Sequence, residues 1–256
     1  MRNIFIKLIL FVFIFSVGGT EVFAVSPKQE KSYQVPILVF HSFGPALAKK
    51  ESWMQQHYRI TTSVFEAQMK YLSDNGYHPV SFSAYVNSLK NNTKLPEKAV
   101  VLTFDDGWKT QYKYAVPILE KYNFTATFFV ITNMMSSPYM NLTELKDLVA
   151  HGFDIGSHTQ THKILTTLSS KKLATELAGS KKTLEDKLGI KIHTIAYPNY
   201  RQNMIIRNAV KDAGYDGARA GWGNFKNSFI HIYELTASES INNPNPFSAK
   251  RLLDLP

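Results

Sequence analysis

An α/β fold with parallel strands is predicted for residues 35–256 of this 256-residue chain, arranged as a doubly wound sheet or as a barrel. Two observations lead to this prediction. Apolar runs of strand length alternate with stretches of helical spacing along the whole range. Two polar motifs also follow directly after strands, at the carboxyl ends where parallel folds carry their functional groups. No shift in composition divides the range, so we expect a single domain.

Short runs of apolar, β-branched and aromatic residues predict the strands. The predicted strands cover residues 36–40, a segment around Val80, 99–104, 125–131, 153–156 and 194–197, with two weaker ones near 216–220 and 229–235. Helical spacing predicts the helices between them. The predicted helices cover residues 63–76, a segment around Leu89, 111–122, 143–151, 169–188 and 202–213. The segment Ser63-Val64-Phe65-Glu66 has the form of a capping box, and the helix over 111–122 is expected despite Pro117.

Residues 1–24 have the form of a secretory signal peptide. Basic side chains accompany an apolar run over 4–17, and small residues lead to an expected cleavage site after Ala24. Residues 25–34 are polar and suit a flexible leader ahead of the domain. The sequence therefore predicts a secreted or cell-surface protein, which stays tethered to the membrane if the apolar segment is not cleaved.

Composition narrows the chemistry that the chain can support. The absence of cysteine excludes disulfides and thiolate metal ligands. The formal net charge is +9, and removal of Arg2, Lys7 and Glu21 with the signal leaves +8. In an exported protein such a charge favours peripheral contact with a polyanionic cell wall or a membrane surface over binding to nucleic acid.

Two motifs combine the residue types of a metal-assisted hydrolytic site. Asp105 and Asp106 directly follow one apolar strand, and His158 and His162 directly follow another. Histidines four residues apart share a face of a helical turn, so they can bind one cation together with a carboxylate. The other carboxylate then remains to deprotonate water. Each motif alone also fits an ordinary turn or a pair of exposed histidines, and their joint position after strands favours a site.

The motifs resemble those of the polysaccharide deacetylase family, the carbohydrate esterases with a NodB homology domain. The resemblance rests on Thr-Phe-Asp-Asp-Gly at 103–107, Ser-His-Thr-Gln-Thr-His at 157–162 and Ile-Ala-Tyr-Pro-Asn-Tyr at 195–200, and it extends over residues 35–235. It implies a distorted (β/α) barrel with its site at the carboxyl ends of the strands. It also implies a hydrolase that removes N-acetyl groups from an N-acetylglucosamine polymer. A divalent metal would assist, zinc first, with cobalt, nickel and manganese as alternatives.

The resemblance implies roles for particular residues. Asp106, His158 and His162 would hold the metal. Asp105 would be the catalytic base, and the backbone N–H of Asn199 would stabilise the oxyanion of the tetrahedral intermediate.

Two histidines compete for the role of the general acid. His41 resembles an early strand-end histidine of the branch that acts on poly-β-1,6-N-acetylglucosamine, and it follows a predicted strand. His231 resembles a histidine on a late strand of many other members. The surroundings of His41 fit better, and together with Ala196-Tyr197-Pro198 they favour the poly-β-1,6-N-acetylglucosamine branch.

Two positions depart from the family pattern. Ala196 stands where the third motif usually begins with an arginine that orients the base, and Tyr200 replaces its final glycine. Another arginine would then orient Asp105. The candidates are Arg59, Arg201 and Arg219.

Rings near predicted strand ends can stack on the apolar faces of sugars. The substrate-binding residues predicted on this basis, and from the third motif, are Trp108, Tyr197, Pro198 and Trp222.

The leading interpretation is an exported, metal-dependent N-deacetylase with an N-acetylated polysaccharide as its partner. Poly-β-1,6-N-acetylglucosamine is favoured, and peptidoglycan or chitin oligomers are alternatives. Removal of O-linked acetyl groups from a xylan-type polymer, or carbohydrate binding without turnover, would use the same scaffold. A zinc peptidase would need a glutamate between the paired histidines, where Thr159-Gln160-Thr161 stands instead. A glycoside hydrolase would leave the histidine pair without a function.

Overall fold

The computed structural model describes residues 35–45, 58–221 and 227–240. The predicted signal peptide, the leader and Trp222 lie outside these ranges. The strands are β1 (Ile37–Phe40), β2 (Ser42–Gly44), β3 (Arg59–Thr61), β4 (His78–Val80), β5 (Ala99–Phe104), β6 (Thr127–Val130), β7 (Asp154–Ser157), β8 (Thr194–Ala196), β9 (Gly217–Arg219) and β10 (Ser238–Glu239). The α-helices are α1 (Thr62–Asp74), α2 (Phe82–Asn91), α3 (Val116–Lys121), α4 (Leu142–Ala150), α5 (Ser170–Leu188) and α6 (Met204–Asp212).

Within the described ranges, parallel pairing joins eight strands into one curled sheet. The order is β10-β1-β5-β6-β7-β8-β9, and β4 pairs with the beginning of β5. The other two strands, β2 and β3, form a separate parallel pair. The curled parallel sheet and its helices confirm the predicted distorted (β/α) barrel.

Alternate side chains of β1, β5 and β6 belong to two separate apolar clusters. In β1, Leu38 and Phe40 lie in a large cluster with residues of α1, α3, α4, α5 and α6, whereas Ile37 and Val39 lie in a smaller cluster. Phe82 and other residues of α2 pack in the smaller cluster, so this helix covers the opposite face of the sheet. Because both faces are buried, the strands have continuous rather than alternating apolar sequences.

A ladder of phenylalanine rings aligns the strand ends that carry the site. Phe40, Phe104 and Phe128 pair in register on β1, β5 and β6, and neighbouring rings stack at centroid distances of 5.1 and 4.7 Å. The backbone N–H of Asp105 then donates to the carbonyl of Phe40 at 2.9 Å. The ladder thus fixes His41 and Asp105, the residues that follow it, at the same level of the sheet.

Two predicted helix details were wrong for local reasons. The first helix begins at Thr62, because the hydroxyl of Thr61 rather than of Ser63 caps it, accepting the backbone N–H of Val64 at 3.3 Å. The helix predicted over 111–122 is divided into a π-helical turn, Gln111–Ala115, and α3. Pro117 accounts for the division, since it has no N–H to donate to the preceding turn.

None of the helices in the described ranges has the length and hydrophobicity that crossing a membrane requires.

The weak strand predicted near residues 229–235 was also wrong. Phe229–His231 forms a 3₁₀ turn, and only Leu235 joins the sheet, through a single bridge to Arg219. Two turns keep this largely apolar segment from extending: the backbone N–H of His231 donates to the carbonyl of Ser228 at 3.1 Å, and that of Glu234 donates to the carbonyl of His231 at 2.8 Å.

Candidate metal and active site

A cavity of about 460 Å³ opens at the carboxyl ends of the parallel strands, and we call it the catalytic cavity. Its lining includes the predicted base, the three predicted metal ligands, the favoured acid, the predicted oxyanion donor and one predicted sugar-binding ring. These residues are His41, Asp105, Asp106, Trp108, His158, His162 and Asn199. They come from separate segments of the sequence, so only the folded sheet brings them together.

The turn after β5 directs its two carboxylates to different neighbours. Asp105 is buried, whereas Asp106 is partly exposed. Asp106 and Gly107 both adopt left-handed backbone, with φ of 71° and 77°. Glycine accepts this conformation without steric cost, and aspartate accepts it more readily than most residues. The chain therefore turns sharply after the strand and separates the two carboxylates.

Arg219 on β9 is the partner of Asp105. Its Nη2 donates to Oδ2 of Asp105, and its side chain is completely buried. Burial by itself raises the pKa of Asp105. The charge of Arg219, together with those of His41 and of His158 in the acid range where its ring is protonated, outweighs burial and lowers the pKa of Asp105. Asp105 is therefore ionised at neutral pH and can accept a proton.

Strand register explains how Arg219 replaces the arginine that the third motif lacks. Ala196 on β8 lies directly beside Arg219 on β9. The guanidinium of Arg219 therefore starts one strand away from the position where the family has its arginine, and it reaches Asp105 from there. Of the other two candidates, Arg59 lies in the wall of the catalytic cavity and Arg201 is exposed beside a neighbouring cavity.

Tyr200, which replaces the family glycine, has a φ of 58°. This conformation costs a non-glycine residue about 1–2 kcal/mol. The ring of Tyr200 lies 5.3 Å from Cζ of Arg219, and the ring of Phe129 lies 5.4 Å from it. The contacts of both rings with a desolvated cation offset the backbone cost. Gly221 provides the space, since a side chain there would collide with the ring of Tyr200.

His158 and His162 meet through an irregular loop, which corrects the prediction of a helical turn. Thr159 and His162 have φ values of 67° and 59°, and no helix covers the segment. The hydroxyl of Thr159 accepts the backbone N–H of His162 at 3.1 Å. This local turn brings the two imidazole rings to a centroid distance of 4.8 Å.

Asp106, His158 and His162 form a group that can hold a metal ion. Oδ1 of Asp106 lies 3.5 Å from Nε2 of His158 and 3.4 Å from Nε2 of His162. Ligands about 2.0–2.1 Å from zinc in a tetrahedral arrangement lie roughly 3.4 Å apart, so both pairs of Asp106 with a histidine have the spacing of zinc ligands. All three donor atoms lie within 4.8 Å of one another. Two imidazoles and one carboxylate are also a donor set that zinc prefers, and cobalt, nickel and manganese accept it.

Hydrogen bonds orient two of these three side chains toward the place of the metal ion. Nδ1 of His158 donates to the carbonyl of Ala196 at 2.9 Å, which leaves Nε2 unprotonated and free to bind a cation. Burial lowers the pKa of His158 to about 4, so its ring is neutral at pH 7. Nε1 of Trp108 donates to Oδ2 of Asp106 at 2.9 Å and leaves Oδ1 facing the histidines.

Glu176 holds the loop that carries both histidines. It is buried on α5 and accepts the backbone N–H groups of Gln160 and Thr161 at 2.8 and 2.9 Å, together with the hydroxyl of Thr161. Sequence reasoning missed it. The available signal was a glutamate on the apolar face of the helix, between Leu173 and Leu177.

We expect Glu176→Gln to weaken zinc binding by about 10–100-fold, because the loss of outer partners of metal ligands typically has effects of this size. Glutamine keeps one oxygen for the two N–H groups, but it removes the negative charge, and its NH₂ replaces the oxygen that accepts the hydroxyl of Thr161. The measurement is competition for zinc against a chromogenic chelator. Glu185→Gln on the same helix is the matched control and should bind zinc as the wild type does. Equal zinc affinity in both variants would show that the loop does not depend on Glu176.

His41 lies between two carboxylates. Its Nε2 is 3.8 Å from Oδ2 of Asp105, and its Nδ1 is 3.3 Å from Oε2 of Glu239. Glu239 on β10 pairs with Val39, which makes it a diagonal neighbour of His41. Burial lowers the pKa of His41, but the charges of Glu239, Asp105 and Asp106 outweigh burial and raise it to about 9. His41 is therefore protonated at neutral pH.

Gln111 connects the segments that carry His41 and Asp105. Its Nε2 donates to the backbone carbonyl of His41 at 2.7 Å and to that of Asp105 at 2.5 Å. The side chain is completely buried, and it lies in the π-helical turn. Such turns are frequent at functional sites, and here the turn aims one amide at two strand ends.

The substrate-binding predictions have mixed outcomes. Trp108 lines the catalytic cavity and stacks on Tyr139 at a centroid distance of 4.4 Å. Tyr197 was wrongly assigned to the groove: it is completely buried, and its hydroxyl donates to the carbonyl of Tyr233 at 2.9 Å. Pro198 is also buried and is not part of the described lining of the catalytic cavity. It therefore supports the turn rather than a sugar.

His231 lies outside the catalytic cavity. Its side chain is 53% exposed, and its Nδ1 pairs with Oε1 of Glu234 at 2.7 Å. The position is unsuited to protonating a leaving group beside Asp105, which favours His41 as the acid.

The curled parallel sheet, and the Asp-His-His group beside a separate buried carboxylate, define the class of protein: an α/β barrel with a candidate site for a metal ion. The sequence profile described as polysaccharide deacetylase matches residues 92–218. The chain belongs to the polysaccharide deacetylase family.

Named proteins with similar sequences or structures support this assignment. YxkH of Bacillus subtilis (strain 168), whose name assigns it to the polysaccharide deacetylases, is 34% identical over 190 residues, 73% of this chain and 64% of that protein. The poly-beta-1,6-N-acetyl-D-glucosamine N-deacetylase of Staphylococcus aureus (strain MRSA252) is 31% identical over 176 residues, 62% of this chain and 60% of that protein. The chain thus spans somewhat less than two thirds of each relative's length. The structure of the Streptococcus pyogenes deacetylase PplD in complex with acetate is 27% identical, with a TM-score of 0.76 over 86% of this chain and 96% of that chain.

Proposed function

We propose that this protein is an exported, metal-dependent N-deacetylase of an N-acetylglucosamine polymer, with poly-β-1,6-N-acetylglucosamine as the favoured substrate. One observation carries the proposal. Three side chains gather at the spacing of metal ligands, while the ionised carboxylate of Asp105 stays beside them as a separate group. The name of the Staphylococcus aureus relative supports the substrate, and the complex of PplD with acetate supports acetate as a product.

Asp106, His158 and His162 are the proposed ligands. A divalent metal held there, zinc first, supplies the Lewis acidity that polarises a water molecule and the acetyl carbonyl. Trp108 and the backbone of Ala196 keep the ligand atoms turned toward one another.

Asp105 is the proposed base. Its Oδ2 lies 4.0 Å from Nε2 of His158, so the carboxylate borders the ligand group. Arg219 keeps it ionised and fixes its direction. It takes one proton from the attacking water, whose oxygen bonds to the acetyl carbonyl carbon. The backbone N–H of Asn199, at the rim of the same cavity, is the proposed donor to the resulting oxyanion.

His41 is the proposed acid. It lines the same cavity with its Nε2 3.8 Å from Oδ2 of Asp105, and it carries a proton at neutral pH. It gives this proton to the amide nitrogen as the carbon–nitrogen bond breaks. The products are acetate and a free amine on the sugar, and the polymer gains a positive charge.

The proposed location follows from the apolar segment at residues 1–24 and the basic composition of the chain. Export puts the enzyme where N-acetylglucosamine polymers of the cell surface and its matrix occur. The net positive charge favours retention at an anionic wall or membrane surface.

The proposal is tested by acetate release from poly-β-1,6-N-acetylglucosamine, chitin oligomers, peptidoglycan and acetylxylan. Each substrate is offered to the zinc-loaded protein and to the same protein after treatment with a chelator. We expect release from poly-β-1,6-N-acetylglucosamine, loss with the chelator and recovery with zinc. Release from acetylxylan alone would instead identify an O-acetyl esterase. Binding of these polymers with no release from any of them would indicate a carbohydrate-binding protein.

The rate should depend on pH through Asp105 and His41. The lowered pKa of Asp105 places the acidic limb of the pH–rate profile below neutral pH. The base is lost only when its carboxylate is protonated. The raised pKa of His41, about 9, places the alkaline limb above neutral pH, because the acid is lost as its proton leaves. Tyr58, Glu239, Asp105 and Asp106 are the titratable groups near this ring.

We expect Glu239→Gln to move the alkaline limb of the pH–rate profile downward by about 1–3 pH units. The substitution removes the negative charge that most strongly favours protonated His41. The measurement is kcat/KM between pH 5 and 10. Glu97→Gln, an exposed residue that is absent from the lining of the catalytic cavity, should keep the wild-type limb. An unchanged limb in Glu239→Gln would mean that Glu239 does not hold the proton on His41.

A further inference from the structure

The backbone ladder between β1 and β5 ends just where the proposed acid and base begin. The paired register stops at Phe40 and Phe104. Among the described residues, the last backbone hydrogen bond between the two segments runs from the N–H of Asp105 to the carbonyl of Phe40 at 2.9 Å. The carbonyls of His41 and Asp105 lie beyond this bond. Another group must therefore connect the two segments at the level of the site.

The side chain of Gln111 makes this connection. An amide nitrogen has two N–H groups, and Nε2 of Gln111 directs one to the carbonyl of His41 at 2.7 Å and the other to that of Asp105 at 2.5 Å. The preceding residue adds a second contact, because the hydroxyl of Thr110 accepts the backbone N–H of Phe43 at 3.3 Å. The segment that follows β1 is thus joined to the segment that follows β5 by two neighbouring side chains.

The backbone of Gln111 is held on both sides. Its N–H donates to the carbonyl of Trp108 at 2.9 Å, within the turn that follows β5. Its carbonyl accepts the N–H of Val116 five residues later, which is the hydrogen bond of a π-helical turn. The side chain is completely buried. The amide therefore stays between the two carbonyls.

This arrangement leaves one buried polar atom unpaired. Oε1 of Gln111 has no hydrogen-bond partner among the described residues. The amide cannot turn over to find one, because its oxygen would then face two carbonyl oxygens. An unpaired buried acceptor lowers stability, and an apolar side chain of the same shape would avoid the loss. The benefit of an amide here lies in the two carbonyls that it holds.

We propose that Gln111 is a positioning residue that holds the acid His41 at its working distance from the base Asp105. This inference rests on the proposed function, because it assigns a further residue to the same reaction. Nε2 of His41 lies 3.8 Å from Oδ2 of Asp105. Arg219 fixes the carboxylate of Asp105, and Gln111 fixes the backbone of His41 relative to it. Since both groups act on one acetyl amide, a displacement of about 1 Å can lower the rate about 100-fold.

The test replaces Gln111 by methionine, which has a similar length but no N–H to donate. We expect kcat for acetate release from poly-β-1,6-N-acetylglucosamine to fall at least about 20-fold. KM should stay within about twofold and zinc affinity within about threefold of the wild type, because Gln111 lies outside the lining of the catalytic cavity and the ligand group. The matched control is Thr194→Val. It removes a buried, unpaired hydroxyl at the amino end of β8 and should keep the wild-type kcat.

A second background separates positioning from a general loss of structure. His41→Ala removes the acid, so adding Gln111→Met to it should lower kcat by less than about threefold further. A purely structural role would lower kcat by the same factor in both backgrounds. That result would overturn the proposal, and so would a kcat within about twofold of the wild type in Gln111→Met alone.

If the wild type releases no acetate, hydrogen exchange at the backbone N–H of Asp105, followed by NMR, separates the two proposals. Exchange at least about tenfold faster in Gln111→Met than in the wild type and in Thr194→Val supports the connection, while the proposed function fails. Equal exchange in all three proteins would show that Gln111 does not hold the two segments together, and the positioning role would be overturned.

Discussion

Replacement of Asp105 by asparagine is expected to lower kcat for acetate release by about 10²–10⁴-fold, the range that a general base contributes. Asparagine keeps the shape of the side chain but cannot take a proton from water. The ligand group of Asp106, His158 and His162 is left intact, so zinc affinity should stay within about threefold of the wild type. The measurement pairs steady-state kinetics on poly-β-1,6-N-acetylglucosamine with a zinc titration of the same sample.

A folding control is needed, because the substitution leaves the buried guanidinium of Arg219 without its carboxylate. Kinetics are therefore compared at a temperature where circular dichroism and zinc content match those of the wild type. Asp186→Asn, an exposed change on α5, should retain full activity. A folded, zinc-loaded Asp105→Asn protein with a kcat within about threefold of the wild type would show that Asp105 is not the base.

The largest loss of stability is expected from Arg219→Met, at about 3–5 kcal/mol in the free energy of unfolding. The change leaves Asp105 buried and ionised without its partner, while methionine fills part of the space between Phe129 and Tyr200. The loss should shrink as the pH falls, because a protonated Asp105 no longer needs a counter-charge. Urea denaturation followed by circular dichroism between pH 4 and 8 measures it.

A double-mutant cycle separates the ion pair from simple packing. Removing both charges in Asp105→Asn/Arg219→Met should restore part of the stability that Arg219→Met loses, because no uncompensated charge remains. Arg201→Met, on the exposed side of the same region, should change stability by less than about 0.5 kcal/mol. Strictly additive losses in the double variant would mean that the buried charges do not interact.

The sequence predicted the strands that are buried on both faces, and it did so closely. The strand predicted over 99–104 is observed as Ala99–Phe104, and the helix predicted over 169–188 is observed as Ser170–Leu188. Gly189, with a φ of 70°, ends that helix. The strands β2, β3 and β10 were not predicted. Each has two or three residues, so only pairing with distant segments makes it a strand.

The site was predictable where its residues stand together in short motifs. Asp105 with Asp106, and His158 with His162, were found because each pair directly follows a strand. The choice of Arg219 among three arginines required the register of β8 and β9. The sequence could not show that register.

The supporting residues were missed because each acts on a distant segment. Glu239, Gln111 and Glu176 have no local motif, and they reach the site only through strand pairing, a π-helical turn and helix packing. Tyr197 was wrongly assigned because a sequence does not show whether the ring at a strand end faces the groove or the core. Here its hydroxyl bonds to Tyr233 inside the fold.

The proposed deacetylase activity requires one metal ion at Asp106, His158 and His162. Zinc is added in fractions of an equivalent to the metal-free protein while acetate release from poly-β-1,6-N-acetylglucosamine is measured. We expect no release without zinc, a linear rise in rate, and a sharp break at one zinc per chain. A full rate in the metal-free protein, or a break at two zinc ions per chain, would mean that a single metal ion at these residues is not what the activity needs.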